Sequence, residues 1–190
     1  MKAILLLHEI YGKNRFMDVQ CRFFAGLGFH VCCPDLLNGK VFSYEETEAA
    51  YACFYANADR ARRLVWELTG QLGAEYEAVY LVGFSAGATI AWQCSENSSC
   101  AGTVAFYGSR IRDSLHITPR RPALLLFAGQ DSFDVPALIQ ALEAKPNTRA
   151  VLYPAAHGFF DPYAHSYDPA AAAAAQKELL LFLTGQDSVF

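Results

Sequence analysis

The 190-residue chain reads as an α/β protein: a mostly parallel sheet of about six strands with helices on both faces. Three observations predict this. Short apolar runs of strand length alternate along the whole chain with longer segments of helical periodicity. The short runs are continuously apolar rather than alternating, as expected of parallel strands covered on both faces. Apolar residues make up 53% and charged residues only 18%, which suits a sheet buried on both sides.

The strand candidates, in order, are 3–7 (AILLL), 30–34 (HVCCP), 78–84 (AVYLVGF), 102–108 (GTVAFYG), 123–129 (ALLLFAG) and 149–154 (RAVLYP). Between them lie helical patterns at about 14–27, 45–72, 86–96, 135–144 and 169–184. The last carries its own start signal, Asp168 followed by Pro169, and then an alanine run of high helix propensity. Residues 35–58 are rich in aromatics (Phe42, Tyr44, Tyr51, Phe54, Tyr55), a pattern compatible either with the roof of a pocket or with a core helix behind a loop. Residues 109–122 read as a polar loop. No internal repeat or linker interrupts the chain, so residues 1–190 are expected to form one domain.

Composition also removes function classes. A net charge of −4 argues against nucleic acid as a partner, and the one basic cluster, Arg60, Arg62 and Arg63, sits beside acids in a helical pattern and reads as a solvated face. The N-terminal apolar run ends at His8 and Glu9, too short for the core of a signal peptide, and no stretch has the length of a membrane span. The six cysteines, Cys21, Cys32, Cys33, Cys53, Cys94 and Cys100, show no C-x-x-C spacing. They read as reduced, buried thiols of a cytoplasmic protein rather than as a zinc site or a disulfide framework. The expected partner is a small-molecule substrate.

The segment VYLVGFSAGATIAW (79–92) places Ser85 in a Gly-x-Ser-x-Gly turn between a strand and a helix. That arrangement matches the nucleophile elbow of α/β hydrolases. Glycines permit the sharp turn that lifts the serine oxygen out of the sheet, and the following helix turns its N–H groups and positive end toward developing negative charge. Serine needs a base oriented by an acid, and the fold's chain order is serine, acid, histidine. Asp131 follows one later strand directly and His157 follows the next, both at the carboxyl edge where open parallel sheets build their sites. Asp134 reads instead as a helix N-terminal residue, His165 lies in a loop away from a strand end, and His8 comes too early in the chain. His30 and His116 lack an acidic neighbour. Oxyanion donors are expected from the N–H of Ala86 and from the loop after the first strand, where Ile10 is the natural choice.

HEIYG (8–12), the elbow, and HGF (157–159), together with GFHVCCPDLL, FYG and GQD, make the chain resemble the dienelactone hydrolase family over nearly its whole length. The resemblance implies the α/β-hydrolase fold and hydrolase activity. It assigns Ser85, Asp131 and His157 to the triad, Ile10 and Ala86 to the oxyanion backbone, and Glu9 to the glutamate beside the nucleophile. Three departures stand out. The members named for dienelactone cleavage use cysteine where this chain has Ser85, so Glu9 loses the task of controlling a thiol. Their two substrate-binding arginines are replaced by Asp161 and Thr47, so an anionic lactone would meet Asp161 and Glu9. The first central strand lies almost at the start of the sequence, so the fold's leading edge strands are expected to be missing.

The reading that follows is a serine-dependent hydrolase of a small ester, lactone or thioester, with no metal or organic cofactor implied. Tyr11, Tyr107, Phe159 and the aromatics of 42–55 are candidate pocket walls, with core packing the favoured role for each. A non-catalytic binding protein on the same fold, and an acyltransferase or peptidase using the same triad, are the alternatives.

Overall fold

The computed structural model describes residues 1–185. Six strands, β1 (Lys2–Leu7), β2 (His30–Cys32), β3 (Ala78–Phe84), β4 (Cys100–Phe106), β5 (Ala123–Gln130) and β6 (Thr148–Ala156), form one sheet in the order β2-β1-β3-β4-β5-β6. Every pairing is parallel. Because β1 leads outward to β2 on one side and the chain then returns to build β3 on the other, the strand order reverses between β1 and β3. Open α/β sheets place a crevice at the carboxyl ends of such a pair.

Along β1 the side chains alternate between two cores, which explains why its sequence is apolar without interruption. Ile4 and Leu6 pack with Phe16 and Phe24 of α1 (Arg15–Gly26) and with Leu179 and Phe182 of α6 (Pro169–Thr184). Ala3, Leu5 and Leu7 face Phe54 of α2 (Thr47–Ala56), Val65 and Leu72 of α3 (Ala58–Glu75) and Ile90 of α4 (Ala86–Gln93). A third cluster joins Trp92 of α4 to Leu125 and Phe127 of β5 and to Leu138 of α5 (Val135–Glu143). The helices start where short polar side chains cap them. Asn14 accepts from Met17 N–H, Asp134 from Ala137 N–H, and Asp168 from the N–H groups of Ala170 and Ala171.

The expected architecture is present, and the differences lie in element boundaries. The single helix expected over 45–72 is two, broken at Asn57, whose amide turns back to donate to Cys53 O at 2.8 Å. The last strand runs two residues further than expected, through Pro154, because β6 is a sheet edge and tolerates a missing N–H. The polar loop after β4 begins with a 3₁₀ turn, Ser109–Ser114. Arg60 does not belong to a solvated face: half-buried, it donates to Leu36 O at 2.8 Å. All six cysteines are free thiols, but only Cys94 and Cys100 are fully buried. No helix among the described residues is long and apolar enough to cross a membrane.

Candidate active site

Ser85 sits between β3 and α4 with φ 50° and ψ −113°, a left-handed conformation that a serine adopts only when its surroundings enforce it. Two glycines make the turn possible. A Cβ on Gly83 would overlap the backbone of Gly87, and a Cβ on Gly87 would overlap the carbonyl oxygens of Leu7 and His8 at the end of β1. The elbow is therefore pressed both against itself and against the neighbouring strand. Ser85 N–H is fixed by Phe106 O at 2.9 Å, which leaves the side chain to project from the carboxyl edge of the sheet.

The register of β5 and β6 delivers the other two groups. Gln130 pairs with Ala156, so the next residues of each strand, Asp131 and His157, emerge side by side, and His157 N–H donates to Gln130 O. The Oγ of Ser85 lies 2.8 Å from His157 Nε2, and His157 Nδ1 lies 2.8 Å from Asp131 Oδ2. Asp131 accepts further bonds from Ser132 N–H and hydroxyl. Burial pushes its carboxyl up, but the bonds and charge of His157, with help from Ser132, bring it below the usual range. The geometry suits an Nδ1–H of His157 donating to Asp131, the tautomer whose Nε2 can accept from the Ser85 hydroxyl. The Asp131 side chain is 8% exposed and that of His157 34%, so the acid is covered while the ring faces the cavity.

Ser85, His157 and Asp131 line a cavity of about 360 Å³, within the range of small-molecule sites. The aromatic segment after β2 supplies part of both the roof and the core. Tyr44, Thr47, Tyr51 and Tyr55 line the cavity, while Ala50 and Phe54 on the same stretch turn into the core. Tyr11 lines the cavity, with its hydroxyl 3.1 Å from Thr47 Oγ1. The N–H groups of Ile10 and Ala86 donate to no other group among the described residues, and Ile10 lines the cavity.

Two of the candidate wall residues take the core role instead. Tyr107 and Phe159 are fully buried in the core and do not reach the cavity. Their rings are large enough to fill the space behind the site, and Tyr107 packs against the back of His157, ring centres 5.0 Å apart. Asp161 is also sealed off. Its carboxylate accepts from the hydroxyl of Tyr44 and from Tyr163 N–H, so a substrate does not touch it. Asp161 instead acts on Glu9, which does line the cavity. Burial, then the charge of Asp161, push the Glu9 carboxyl up to about 7 against the opposing influence of His157 and Tyr107. Ser109, Ser132 and Ser166 also line the cavity. Nothing in the sequence singled these three out, because lone serines in loops carry no pattern.

The chain matches the dienelactone hydrolase family over residues 1–186. It belongs to that family. As a dienelactone hydrolase family member it is a hydrolase that acts on esters or lactones. It is 38% identical over 165 residues to the uncharacterized protein YczH of Bacillus subtilis, covering 84% of this chain and 81% of that one. It is 27% identical over 202 residues to the carboxymethylenebutenolidase of Pseudomonas putida, covering 95% of this chain and 84% of that enzyme. The fold is shared with the crystal structure of a dienelactone hydrolase from Anabaena variabilis, at a TM-score of 0.69 and 20% identity over 96% of this chain and 86% of that one.

Proposed function

We propose that this family member cleaves small uncharged esters, lactones or thioesters through a Ser85–His157–Asp131 triad and an acyl-enzyme intermediate. The observation that carries the reading is the unbroken hydrogen-bonded line from Ser85 Oγ through both nitrogens of His157 to Asp131, opening on the cavity. Ser85 Oγ attacks the carbonyl carbon as its proton passes to His157 Nε2. The oxyanion is met by the N–H groups of Ile10 and Ala86, and Asp131 stabilises the imidazolium. Collapse expels the alcohol, or thiol, with the proton returned from Nε2. His157 then takes a proton from water, which attacks the acyl carbon, and the second tetrahedral species releases the acid and regenerates Ser85.

The preference for uncharged substrates follows from the lining. Among the described residues no lysine or arginine lines the cavity, and Glu9 is one of those that do. Arg110 at the edge is committed to Asp113 and to the hydroxyl of Tyr51. A carboxylate-bearing lactone, of the kind the Pseudomonas enzyme's name denotes, would bring an anion to a wall without a cation. The six free thiols support a reducing, cytoplasmic setting.

The test is steady-state turnover of p-nitrophenyl acetate against its hemisuccinate analogue by wild type and Ser85→Ala. Turnover of the neutral ester at least tenfold faster, and lost with Ser85, is expected. Turnover that survives in Ser85→Ala would remove the triad from the mechanism, and a preference for the anion would overturn the substrate class.

A further inference from the structure

His8 is fully buried directly after β1, and the reaction just described gives it no chemical step. Its two ring nitrogens nevertheless have well-defined partners. Nε2 lies 3.0 Å from the backbone N of Leu36, and Nδ1 lies 2.6 Å from the carbonyl oxygen of Glu9. A backbone N–H can only donate and a carbonyl can only accept. Nε2 must therefore be bare and Nδ1 must carry the proton, so one neutral tautomer satisfies both partners at once. Burial favours the neutral ring, with Asp35 and Lys13 as the charged groups that act on it in opposite senses. The ring is held edge-on against Phe54, and Leu36 is itself anchored through its carbonyl by Arg60.

The carbonyl that His8 grips belongs to the peptide group between Glu9 and Ile10. That group is planar and trans, so its C=O and N–H point in opposite directions, and fixing one aims the other. Gly12 N–H makes a longer bond to the same carbonyl oxygen, at 3.3 Å. The Ile10 N–H at the far end of the peptide is unpaired among the described residues, and its residue lines the cavity with Ser85. We propose that His8 is a positioning residue: its neutral Nδ1–H holds the Glu9 carbonyl so that the Ile10 N–H stays directed at the oxyanion, and a flip of this peptide would present a carbonyl oxygen there instead. The inference rests on the serine-hydrolase reading and adds to it the side chain that keeps one oxyanion donor in place.

The two nitrogens can be tested separately, because an asparagine amide reaches the position of Nδ1 and a glutamine amide that of Nε2. His8→Gln keeps an acceptor for Leu36 and loses the bond to Glu9. His8→Asn keeps the donor to Glu9 and loses the bond to Leu36. Loss of an oxyanion donor costs about 10²–10³ in rate, and Gly12 still holds the peptide partly, so His8→Gln is expected to lower kcat for p-nitrophenyl acetate about 10- to 100-fold. KM and the pH midpoint of kcat/KM should not move, since the His157–Asp131 pair is untouched. His8→Asn should recover the rate to within about threefold of wild type. Affinity for an alkyl trifluoromethyl ketone, which forms a tetrahedral adduct, should fall in step with kcat.

Equal losses in the two variants at matched thermal stability would make His8 merely structural and overturn the proposal, as would a fully active His8→Gln. In wild-type protein, nitrogen-15 NMR of the His8 ring should show the Nδ1–H tautomer. An Nε2–H tautomer would overturn the proposal even if neither variant folds. Turnover that persists in Ser85→Ala would bring down the hydrolase reading, and this proposal with it. Ser85-dependent turnover that His8→Gln leaves intact would bring down the proposal alone.

Discussion

Glu9 has its carboxyl buried at the cavity wall, within reach of the charge of Asp161, and it titrates near 7 instead of its ordinary 4.5. Such a group favours folding only while it is protonated. The folded chain binds more protons than the unfolded chain between the two pKa values, so this residue's contribution is most favourable below about 4.5. It is lost as pH rises through 4.5 to 7, and is constant above that. At about 1.4 kcal/mol per pH unit, the displacement amounts to roughly 3 kcal/mol of destabilisation at pH 8. Glu9→Gln has nearly the same shape and no charge to desolvate. Relative to wild type it should gain little at pH 5 and about 3 kcal/mol at pH 8, which corresponds to a Tm higher by roughly 6–12 °C for a chain of this size. Thermal unfolding followed by circular dichroism at pH 5, 6, 7 and 8 measures the difference. A Tm difference that stays flat across this series, or that shrinks as pH rises, would refute the argument that an unfavourable carboxylate is kept in this wall.

The same substitution should raise kcat/KM for the hemisuccinate ester relative to p-nitrophenyl acetate on the order of tenfold at pH 8, because a negative charge leaves the wall; an unchanged ratio would contradict that role. Gly87→Ala should destabilise the chain by about 3 kcal/mol or more, measured by urea unfolding, because the new Cβ overlaps the Leu7 and His8 carbonyls. Tyr44→Phe strips the buried Asp161 carboxylate of a donor and should cost about 1–3 kcal/mol at pH 7 in the same assay. Asp168→Ala removes the acceptor for two N–H groups at the start of α6 and should cost about 1 kcal/mol, with no effect on kcat.

Much of this was legible in the sequence, for identifiable reasons. The sheet could be read because parallel strands buried on both faces leave continuous apolar runs. Ser85, Asp131 and His157 could be read because each directly follows a strand, and strand ends in a parallel sheet converge on one edge. Tyr107 and Phe159 stayed open between pocket wall and core because aromatics beside motif residues fit either place; the course of the backbone leaving β4 and β6 puts both in the core. The isolation of Asp161 depends on Tyr44, 117 positions away in the chain, and a hydrogen bond of that span has no local signature. The break at Asn57 was hidden because its flanks, Ala56 and Ala58, both favour helix. The role inferred for His8 depends on Leu36, which approaches only once β2 has paired with β1.

The most direct test of the catalytic account is mass spectrometry of the intact protein quenched during turnover of p-nitrophenyl acetate, followed by peptide mapping. A gain of one acetyl group, located on Ser85, enhanced when deacylation is slowed at low pH and absent from His157→Asn, is the predicted result. Turnover at a comparable rate with no adduct under any quench condition, or an adduct on a different side chain, would contradict the acyl-enzyme mechanism.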